Sequence, residues 1–303
     1  MRILITGGAG FIGSHLAEAL VTAGDQIVVV DDLSRGTREN IPSEATFEQL
    51  DLAAANLEPI LERYRPEVVV HCAARASVEH SMRFPLEDYR VNQLGAFRLF
   101  EACVRQGVRH VVLLSTSAVY GQAERPARET DLPAPANYYG IHKWAAERYL
   151  ELSGLFGTIL RLANVYGPRQ RSDGEGGAVA IFLDRILAGE EVVLYGGGEQ
   201  TRDYIYVTDV VAAITTAIRY RLPGVWNVGS GRETPIRVIL DTVATAAGRS
   251  PRVRIVPPRA GDVRRSSLDA SKLIATGLWK PMVALEVGIQ QTVQARRDAR
   301  DRI

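Results

Sequence analysis

A tyrosine and a lysine in the stretch YYGIHK, Tyr139 and Lys143, could together perform acid/base chemistry. Residues four apart on a helix share one face, so the lysine ammonium would lie beside the phenol. A neighbouring positive charge stabilises the phenolate and lowers the phenol pKa from about 10. Such a tyrosine can take a proton from a hydroxyl group near neutral pH and return it. A surface pair without function is the alternative, so the interpretation depends on what surrounds these residues.

Three hydroxyl residues, Ser115, Thr116 and Ser117, follow an apolar run that predicts a buried strand. Parallel α/β sheets bind their ligands at the carboxyl ends of the strands. We therefore expect one of these hydroxyls to bond the substrate oxygen that Tyr139 deprotonates, although a turn that simply ends the strand is the alternative. Gly140, inside the tyrosine–lysine pair, costs a helix about 1 kcal/mol relative to alanine. Its presence indicates a close neighbour, such as a ribose.

The stretch ITGGAGFIGSHL carries Gly7, Gly10 and Gly13 after a predicted strand and at the start of a predicted helix. In this context the first glycine permits a tight turn, the second lets the backbone approach a pyrophosphate, and the third lets the helix pack on the sheet. The first amides of the helix would bind the phosphates. An ordinary glycine-rich turn is the alternative. Asp31 argues against it, because an acid at the end of the second strand binds a ribose 2′-hydroxyl.

The carboxylate of Asp31 would repel a 2′-phosphate, so we expect NAD rather than NADP as the cofactor. The nearby Arg35 weakens that preference slightly. Asp51 follows the third predicted strand at the same edge of the sheet. It has two interpretations, a contact to the adenine amino group or a helix N-cap.

Short apolar runs alternate with longer helical patterns in the first half of the chain. The predicted strands are Arg2–Thr6, Gln26–Val30, Thr46–Leu50, Glu67–His71, Val108–Ser115 and Thr158–Leu162. The predicted helices are Ile12–Ala23, Leu57–Tyr64, Pro85–Gln106 and Asn137–Ser153. This alternation predicts an α/β fold with a doubly wound parallel sheet and helices on both faces.

Beyond Asn164 the pattern changes to mixed elements. The predicted elements there are the helices Val179–Ala188 and Thr208–Tyr220 and the strand Val192–Tyr195. We assign residues 1–163 to a dinucleotide-binding domain, to which residues from about 202 to about 228 return. Residues 164–303 are assigned mainly to a smaller, mixed α/β C-terminal lobe that binds the substrate.

The composition argues against several functional classes. The 303 residues are 46% hydrophobic, which is ample for a large core. Lys plus Arg number 36 and Asp plus Glu number 35, so no charge excess favours nucleic acid or an anionic membrane as a partner. Cys72 and Cys103 lie in apolar runs typical of buried small hydrophobes, which fits a reducing cytoplasm.

Taken together and in order, the motifs of this chain resemble those of the extended short-chain dehydrogenase/reductase family, in its nucleotide-sugar branch. The motifs are Gly7-x-x-Gly10-x-x-Gly13, Asp31, HCAA (His71–Ala74), Asn92, STSAVYG (Ser115–Gly121), Tyr139-x-x-x-Lys143, LRLANVYGP (Leu160–Pro168), GGGEQTRDYIYVTDV (Gly196–Val210) and RAGD (Arg259–Asp262). The resemblance covers nearly the whole chain. It implies a Rossmann-type fold, bound NAD, a UDP-sugar substrate, and a homodimer formed through a four-helix bundle of Pro85–Gln106 and Asn137–Ser153.

The resemblance also assigns roles to individual residues. Tyr139, Lys143 and Thr116 would be catalytic, and Lys143 would also hold the nicotinamide ribose. The implied cofactor-binding residues are Gly7, Gly10, Phe11, Ile12, Gly13, Asp31, Asp51, Leu52, Ala73, Ala74, Asn92, Ser115, Tyr139 and Lys143. The implied substrate-binding residues are Thr116, Ser117, Tyr139, Asn164, Arg202, Arg259, Asp262 and Ser266. Two arginines suit a diphosphate in geometry and charge, and no metal site is expected.

Family members that dehydrate the sugar carry a motif like STDEVYG in place of STSAVYG, and its Asp and Glu act as the acid and base. Ser117 and Ala118 stand at those positions, and neither side chain can protonate a leaving 6-hydroxyl. The resemblance therefore favours inversion at C4 of a UDP-hexose, with glucose and galactose as the expected sugars, through a transient 4-keto sugar. One departure is Ala76, where some such enzymes carry a lysine, so the strength of NAD binding stays open.

Other activities stay open as well. A 4-reductase would need exchangeable NADPH, which Asp31 argues against. A decarboxylase would need a cation for the sugar carboxylate, which Arg75 or Arg264 could supply. A binding protein that senses NAD without catalysis would typically lack the Tyr139–Lys143 pair.

Ser266 bears on the choice of sugar. In the enzymes that this chain resembles, the aligned residue lines the sugar pocket near the 2-substituent. A large tyrosine at that position excludes an N-acetyl group. A small serine predicts that N-acetylated sugars fit. An exposed loop serine without a role is the alternative.

Overall fold

The structure, a computed structural model, describes residues 1–173, 177–258 and 263–300. The strands are β1 (Arg2–Thr6), β2 (Gln26–Asp31), β3 (Thr46–Gln49), β4 (Val68–His71), β5 (His110–Thr116), β6 (Gly157–Leu162), β7 (Asn164–Tyr166), β8 (Glu191–Tyr195), β9 (Thr201–Tyr206), β10 (Gly224–Val228), β11 (Glu233–Pro235), β12 (Arg252–Val256) and β13 (Arg265–Ser266). The helices are α1 (Phe11–Thr22), α2 (Glu58–Tyr64), α3 (Val78–Arg83), α4 (Pro85–Tyr89), α5 (Gly95–Arg105), α6 (Tyr138–Leu152), α7 (Ala178–Ala188), α8 (Val207–Tyr220), α9 (Ile236–Ala247), α10 (Ser271–Ile274) and α11 (Leu285–Arg300).

Among the described residues, seven strands form one parallel sheet in the order β10-β6-β5-β4-β1-β2-β3. Its central strands are almost entirely apolar and buried, as expected for a sheet covered by helices on both faces. The strand order reverses between β1 and β4, which opens a crevice at their carboxyl ends. The predicted doubly wound parallel fold is therefore confirmed.

The predicted helix over Pro85–Gln106 is one helical path with an irregular centre. A π-helical turn, Arg90–Leu94, joins α4 to α5. Inside this turn Asn92 is fully buried. Wider helical turns of this kind occur frequently at functional sites, and no periodicity in the sequence marks this one.

The C-terminal elements are mixed, as predicted. Strand β9 pairs with β7, β11 and β13, and β8 pairs with β12. Strand β10 instead joins the large sheet beside β6, and α8 packs against α1. The proposed division of the chain at residue 163 stays a prediction. Within the described ranges, no helix combines the length and the apolar character needed to cross a membrane.

The first turn of helix α6 packs against the turn that follows β5. The side chain of Asn137 caps the helix by accepting a hydrogen bond from the Gly140 amide, N···O 2.9 Å. A Cβ at Gly140 would lie 2.6 Å from the Ala118 carbonyl oxygen and 2.9 Å from Pro135 Cβ. The close neighbour inferred for Gly140 therefore exists in the protein's own backbone, and a ribose beside Gly140 stays a prediction.

This contact predicts opposite effects for two helix glycines. In α5, a Cβ at Gly95 would meet its nearest atoms at an ordinary 3.5 Å. We expect Gly95→Ala to raise the free energy of unfolding by up to about 1 kcal/mol through helix propensity. Gly140→Ala should lower it by about 1–3 kcal/mol because of overpacking. Urea denaturation of both variants tests this, and a neutral or stabilising Gly140→Ala would contradict the tight contact.

Candidate active site

The turn between β1 and α1 lies against the end of β4. Gly7 has a left-handed φ of +69°, and a Cβ there would lie 2.5 Å from the Ala73 amide nitrogen. A Cβ at Gly13 would lie 2.2 Å from the Gly7 carbonyl oxygen. Around Gly10 the described atoms leave more room, the nearest being the same carbonyl oxygen at 3.3 Å. Helix α1 begins at Phe11 without a side-chain cap, so its first amides can bind an anion.

Asp31 lies at the end of β2 on the wall of this crevice, with 8% of its surface exposed. Its two oxygens accept hydrogen bonds from the amides of Ala9 (3.0 Å) and Leu33 (2.9 Å), which fix the orientation of the carboxylate. Burial raises the pKa of the carboxyl above its ordinary value, and these two hydrogen bonds oppose that shift. Arg35 is directed to Asp173, with Nη2 3.1 Å from the backbone carbonyl oxygen.

The far end of the crevice is lined by Asp51, Leu52 and Ala53. Asp51 Oδ1 accepts a hydrogen bond from the Ala53 amide at 2.8 Å and so forms a turn directly after β3. Helix α2 begins only at Glu58. The N-cap interpretation of Asp51 is therefore wrong, and its contact with an adenine stays a prediction.

Tyr139 and Lys143 project from the first turns of α6 into the crevice. Lys143 is 2% exposed, and burial lowers the pKa of its ammonium to about 8, while the charge of Glu147 opposes the shift. Tyr139 is half-buried. Thr116 Oγ1 accepts a hydrogen bond from the Ala118 amide at 3.1 Å and so holds the turn on which Gly140 rests. A phenol and a buried ammonium therefore line this crevice together.

Ser115 is buried and donates a hydrogen bond to Glu147 Oε1. Arg161, the neighbour of Ser115 across the β5–β6 ladder, binds both oxygens of the same carboxylate. Ser115 still lines the crevice, but its proton belongs to this network. Sequence reasoning missed Glu147 and Arg161. The available signal was the spacing of Glu147, four residues after Lys143 on the same face of the helix.

Asn92 is fully buried behind the crevice rather than on its lining. Its Oδ1 accepts from the Arg75 amide at 2.9 Å, and its Nδ2 donates to the Arg75 carbonyl at 3.0 Å and to Asp88 Oδ1 at 2.9 Å. The side chain thus holds the segment that follows β4. Ala73 and Ala74, in that segment, do line the crevice. A direct cofactor contact of Asn92 stays a prediction.

A second cleft adjoins the first between the large sheet and the C-terminal elements. The predicted substrate residues on its wall are Thr116, Ser117, Tyr139, Asn164, Arg202 and Ser266. Lining residues that sequence reasoning missed include Val78, Glu79, Met82, Gln170 and Tyr195. Ser266 neighbours Arg202 across the β13–β9 ladder. Arg259 and Asp262, also predicted for the substrate site, lie outside the described residues.

The two clefts meet at a shared group of side chains. The residues that line both are Phe11, Ile12, Ala76, Ser115, Tyr139, Leu162 and Gln170. Tyr139 therefore lines both the glycine-rich crevice and the second cleft, which contains an arginine. The first crevice fits NAD: the glycine turn admits a pyrophosphate, and Asp31 presents an oriented carboxylate to a ribose.

Comparison with known proteins agrees with this geometry. The chain is 41% identical, over 98% of its length and 99% of the relative's, to a UDP-glucose 4-epimerase of Mycolicibacterium smegmatis. The structure of a UDP-glucose 4-epimerase of Thermus thermophilus in complex with NAD matches it with a TM-score of 0.95 and 44% identity, covering 99% of this chain and 100% of that one. A UDP-glucose 4-epimerase of Thermotoga maritima with UDP-glucose matches with a TM-score of 0.94 and 42% identity, covering 99% of each chain.

The sequence model of one family covers most of the chain. It matches residues 3–229 and describes the NAD dependent epimerase/dehydratase family. The predicted membership of the extended short-chain dehydrogenase/reductases and the predicted NAD dependence are confirmed. This chain belongs to the NAD dependent epimerase/dehydratase family.

Proposed function

We propose that this protein inverts C4 of a UDP-hexose and interconverts UDP-glucose and UDP-galactose. The position of Tyr139 at the junction of the two clefts carries the proposal, because one phenol there can reach a sugar hydroxyl while the cofactor lies beside it. The similarity to UDP-glucose 4-epimerases over nearly the whole chain supports the choice of reaction. One such relative was solved with UDP-glucose, which supports the choice of nucleotide sugar.

In this mechanism Tyr139 removes the proton from the sugar 4-hydroxyl, and Thr116 hydrogen-bonds the same oxygen. In this proposal the charged form of Lys143 stabilises the phenolate of Tyr139. When bound, NAD supplies a reversible hydride acceptor for C4. The resulting 4-keto sugar turns in the cleft, and Tyr139 returns the proton when the other face of C4 is reduced. No net oxidation results, so each turnover leaves the protein as it began.

The nucleotide would be held in the second cleft by residues other than those that act on the sugar. Arg202 presents a guanidinium to a diphosphate, and Asn164 lies on the same wall. Asn164 Nδ2 donates to the Asp203 carbonyl oxygen at 3.2 Å, which fixes the side chain between β7 and β9. Contacts of Arg259 with the diphosphate and of Asp262 with the ribose remain part of the proposal.

The decarboxylase alternative has less support in the described cleft. Arg75 Nη1 lies 2.8 Å from His80 Nε2 and 3.4 Å from Glu87 Oε2, and Arg264 is exposed. Neither arginine lines the second cleft. Arg202 is the arginine that the described residues contribute there, and the proposal assigns it to the diphosphate.

The proposed function is tested with a panel of UDP-, dTDP- and GDP-hexoses assayed for inversion at C4. We expect UDP-glucose and UDP-galactose to interconvert. Inversion of a dTDP- or GDP-sugar alone would correct the nucleotide, and no inversion of any sugar would contradict the proposal.

Tyr139→Phe should keep the fold and NAD binding and lower turnover by about 10²–10⁴-fold, the usual value of a general acid/base. The adjacent Tyr138 is 41% exposed and does not line either cleft, so Tyr138→Phe is the matched control and should retain activity. Steady-state rates of both variants check this, and near-normal turnover of Tyr139→Phe removes that residue from the mechanism.

Asp31→Ala should weaken NAD binding, because the ribose 2′-hydroxyl loses its hydrogen-bond acceptor. It should also relax the discrimination against NADP, because the negative charge that repels the 2′-phosphate is removed. Asp32→Ala removes the same charge one residue along and is the control. Dissociation constants for both dinucleotides measure the effect. Equal changes in the two variants would show that the position of the carboxylate is irrelevant.

Ser266→Tyr should abolish inversion of N-acetylated UDP-hexoses and spare UDP-glucose, because a large side chain at this wall of the cleft excludes the N-acetyl group. The parent protein should invert UDP-N-acetylglucosamine at a measurable rate, and Ser266→Ala should behave like the parent. If the parent protein turns over UDP-galactose and rejects UDP-N-acetylgalactosamine, the small side chain of Ser266 does not decide whether N-acetylated sugars are accepted.

We further propose a homodimer through the helices of the α4–α5 path and α6. Exposed apolar side chains lie on these helices, among them Leu86 (77% exposed) and Leu152 (78%). Phe97 and Tyr149 stack with ring centroids 4.1 Å apart on the surface between α5 and α6. Light scattering at micromolar concentration should report a dimer, and a monomer would contradict the assembly.

A further inference from the structure

A buried ion pair lies beneath the wall that carries the tyrosine and the lysine. Glu147 is 1% exposed and Arg161 is 4% exposed. Arg161 Nη2 lies 2.6 Å from Glu147 Oε2, and Arg161 Nε lies 3.0 Å from Oε1, which is a two-point contact. Because both charges are out of water, neither can lose its partner without a large cost in stability. The pair is therefore fixed in one geometry.

The same pair reaches the end of β5. Glu147 accepts the hydroxyl proton of Ser115, the residue before Thr116. The guanidinium of Arg161 lies over the ring of Tyr120, 4.7 Å from its centroid, in the turn that follows β5. Three elements, β5, β6 and α6, are thus joined at one carboxylate.

Tyr139, Lys143 and Glu147 follow one another at spacings of four on α6 and so lie along one face of the helix. We propose that Glu147 is a positioning residue: held by Arg161, its carboxylate fixes the end of β5 against the face of α6 that carries the reacting groups. This inference rests on the proposed function, and Glu147 itself lines neither cleft.

Glu147 also acts on Lys143 through its charge. The charged and titratable groups around Lys143 are Tyr139 and Glu147 on α6, His71 on β4, Cys72 next to it, and Asp88 on α4. Burial lowers the Lys143 pKa to about 8, and Glu147 is the strongest of the charges that raise it. Without that charge the ammonium should deprotonate at a lower pH, so the alkaline limb of the pH–rate profile should move to lower pH.

The test uses two variants, because one alone could fail to fold. Glu147→Gln removes the charge and keeps the shape. The double variant Glu147→Leu, Arg161→Leu replaces the pair by apolar side chains, an exchange that buried ion pairs often tolerate. We expect folded variants with kcat lowered roughly ten- to a hundredfold by misplacement of the reacting groups, with KM for UDP-glucose nearly unchanged and with the alkaline limb at lower pH.

Lys143 can also be observed without substrate. The chain has three lysines, Lys143, Lys272 and Lys280, so NMR of protein with ¹³C-labelled lysine can follow each ammonium during a pH titration. Lys143 should titrate at lower pH in both variants. This measurement separates the two outcomes. A parent protein without epimerase activity would overturn the proposed function, whereas an unchanged Lys143 titration in both folded variants would contradict the effect of Glu147 on Lys143.

Thr158→Val is the matched control. Thr158 Oγ1 lies 2.8 Å from His110 Nε2. This buried contact joins β5 and β6 at the ends of the strands that lie away from the clefts. This variant should lose stability and keep kcat and the titration of Lys143. If both Glu147 variants fold and retain the kcat and the Lys143 titration of the parent, the pair only stabilises the fold and the inference is wrong.

Discussion

The close approach between helix α6 and the carbonyl group of Ala118 is the contact on which the rest of the site depends. It requires a glycine at position 140, because a Cβ there would lie 2.6 Å from that oxygen. With the helix seated this closely, its first turn stands beside the polar end of β5. Tyr139 and Lys143 then line the dinucleotide crevice beside Ser115, and Tyr139 also lines the second cleft with Thr116. A helix held further from Ala118 would move Tyr139 and Lys143 away from the end of β5.

The sheet and the C-terminal elements supply two different environments to that wall. At the switch point between β1 and β4, the glycine turn and the uncapped start of α1 leave room for an anion, and Asp31 is held as an oriented carboxylate. Across Tyr139, the second cleft adds an arginine and several hydroxyl and amide groups. Because the two clefts share Tyr139, one phenol lies on the lining of both, which the proposed reversible oxidation at a single carbon would require.

Much of this could be predicted from the sequence, because the signals are local. The glycine turn, the acid at the end of β2 and the tyrosine–lysine spacing each depend on a few consecutive residues and the elements that flank them. Family resemblance added Arg202 and Ser266, which the fold brings onto one cleft wall from adjacent strands.

What could not be predicted depends on partners that are distant in the chain. The buried pair of Glu147 and Arg161 needs α6 and β6 to be placed on each other, and no spacing reveals that. Asn92 bonds backbone 17 residues away, so a motif that marks it as important does not say that it holds a loop. The neighbour of Gly140 was inferred to exist, but its identity followed only from the packing.

In the proposed reaction, C4 of the sugar is oxidised and reduced again at one site, with Tyr139 moving only the hydroxyl proton. The most direct measurement is to incubate the protein in ordinary water, without added NAD, with UDP-galactose that carries deuterium at C4. A carbon-bound hydrogen moved as hydride does not exchange with water, whereas the proton carried by a phenol does. We expect UDP-glucose that retains the deuterium at C4. UDP-glucose that has lost the deuterium to solvent would contradict it.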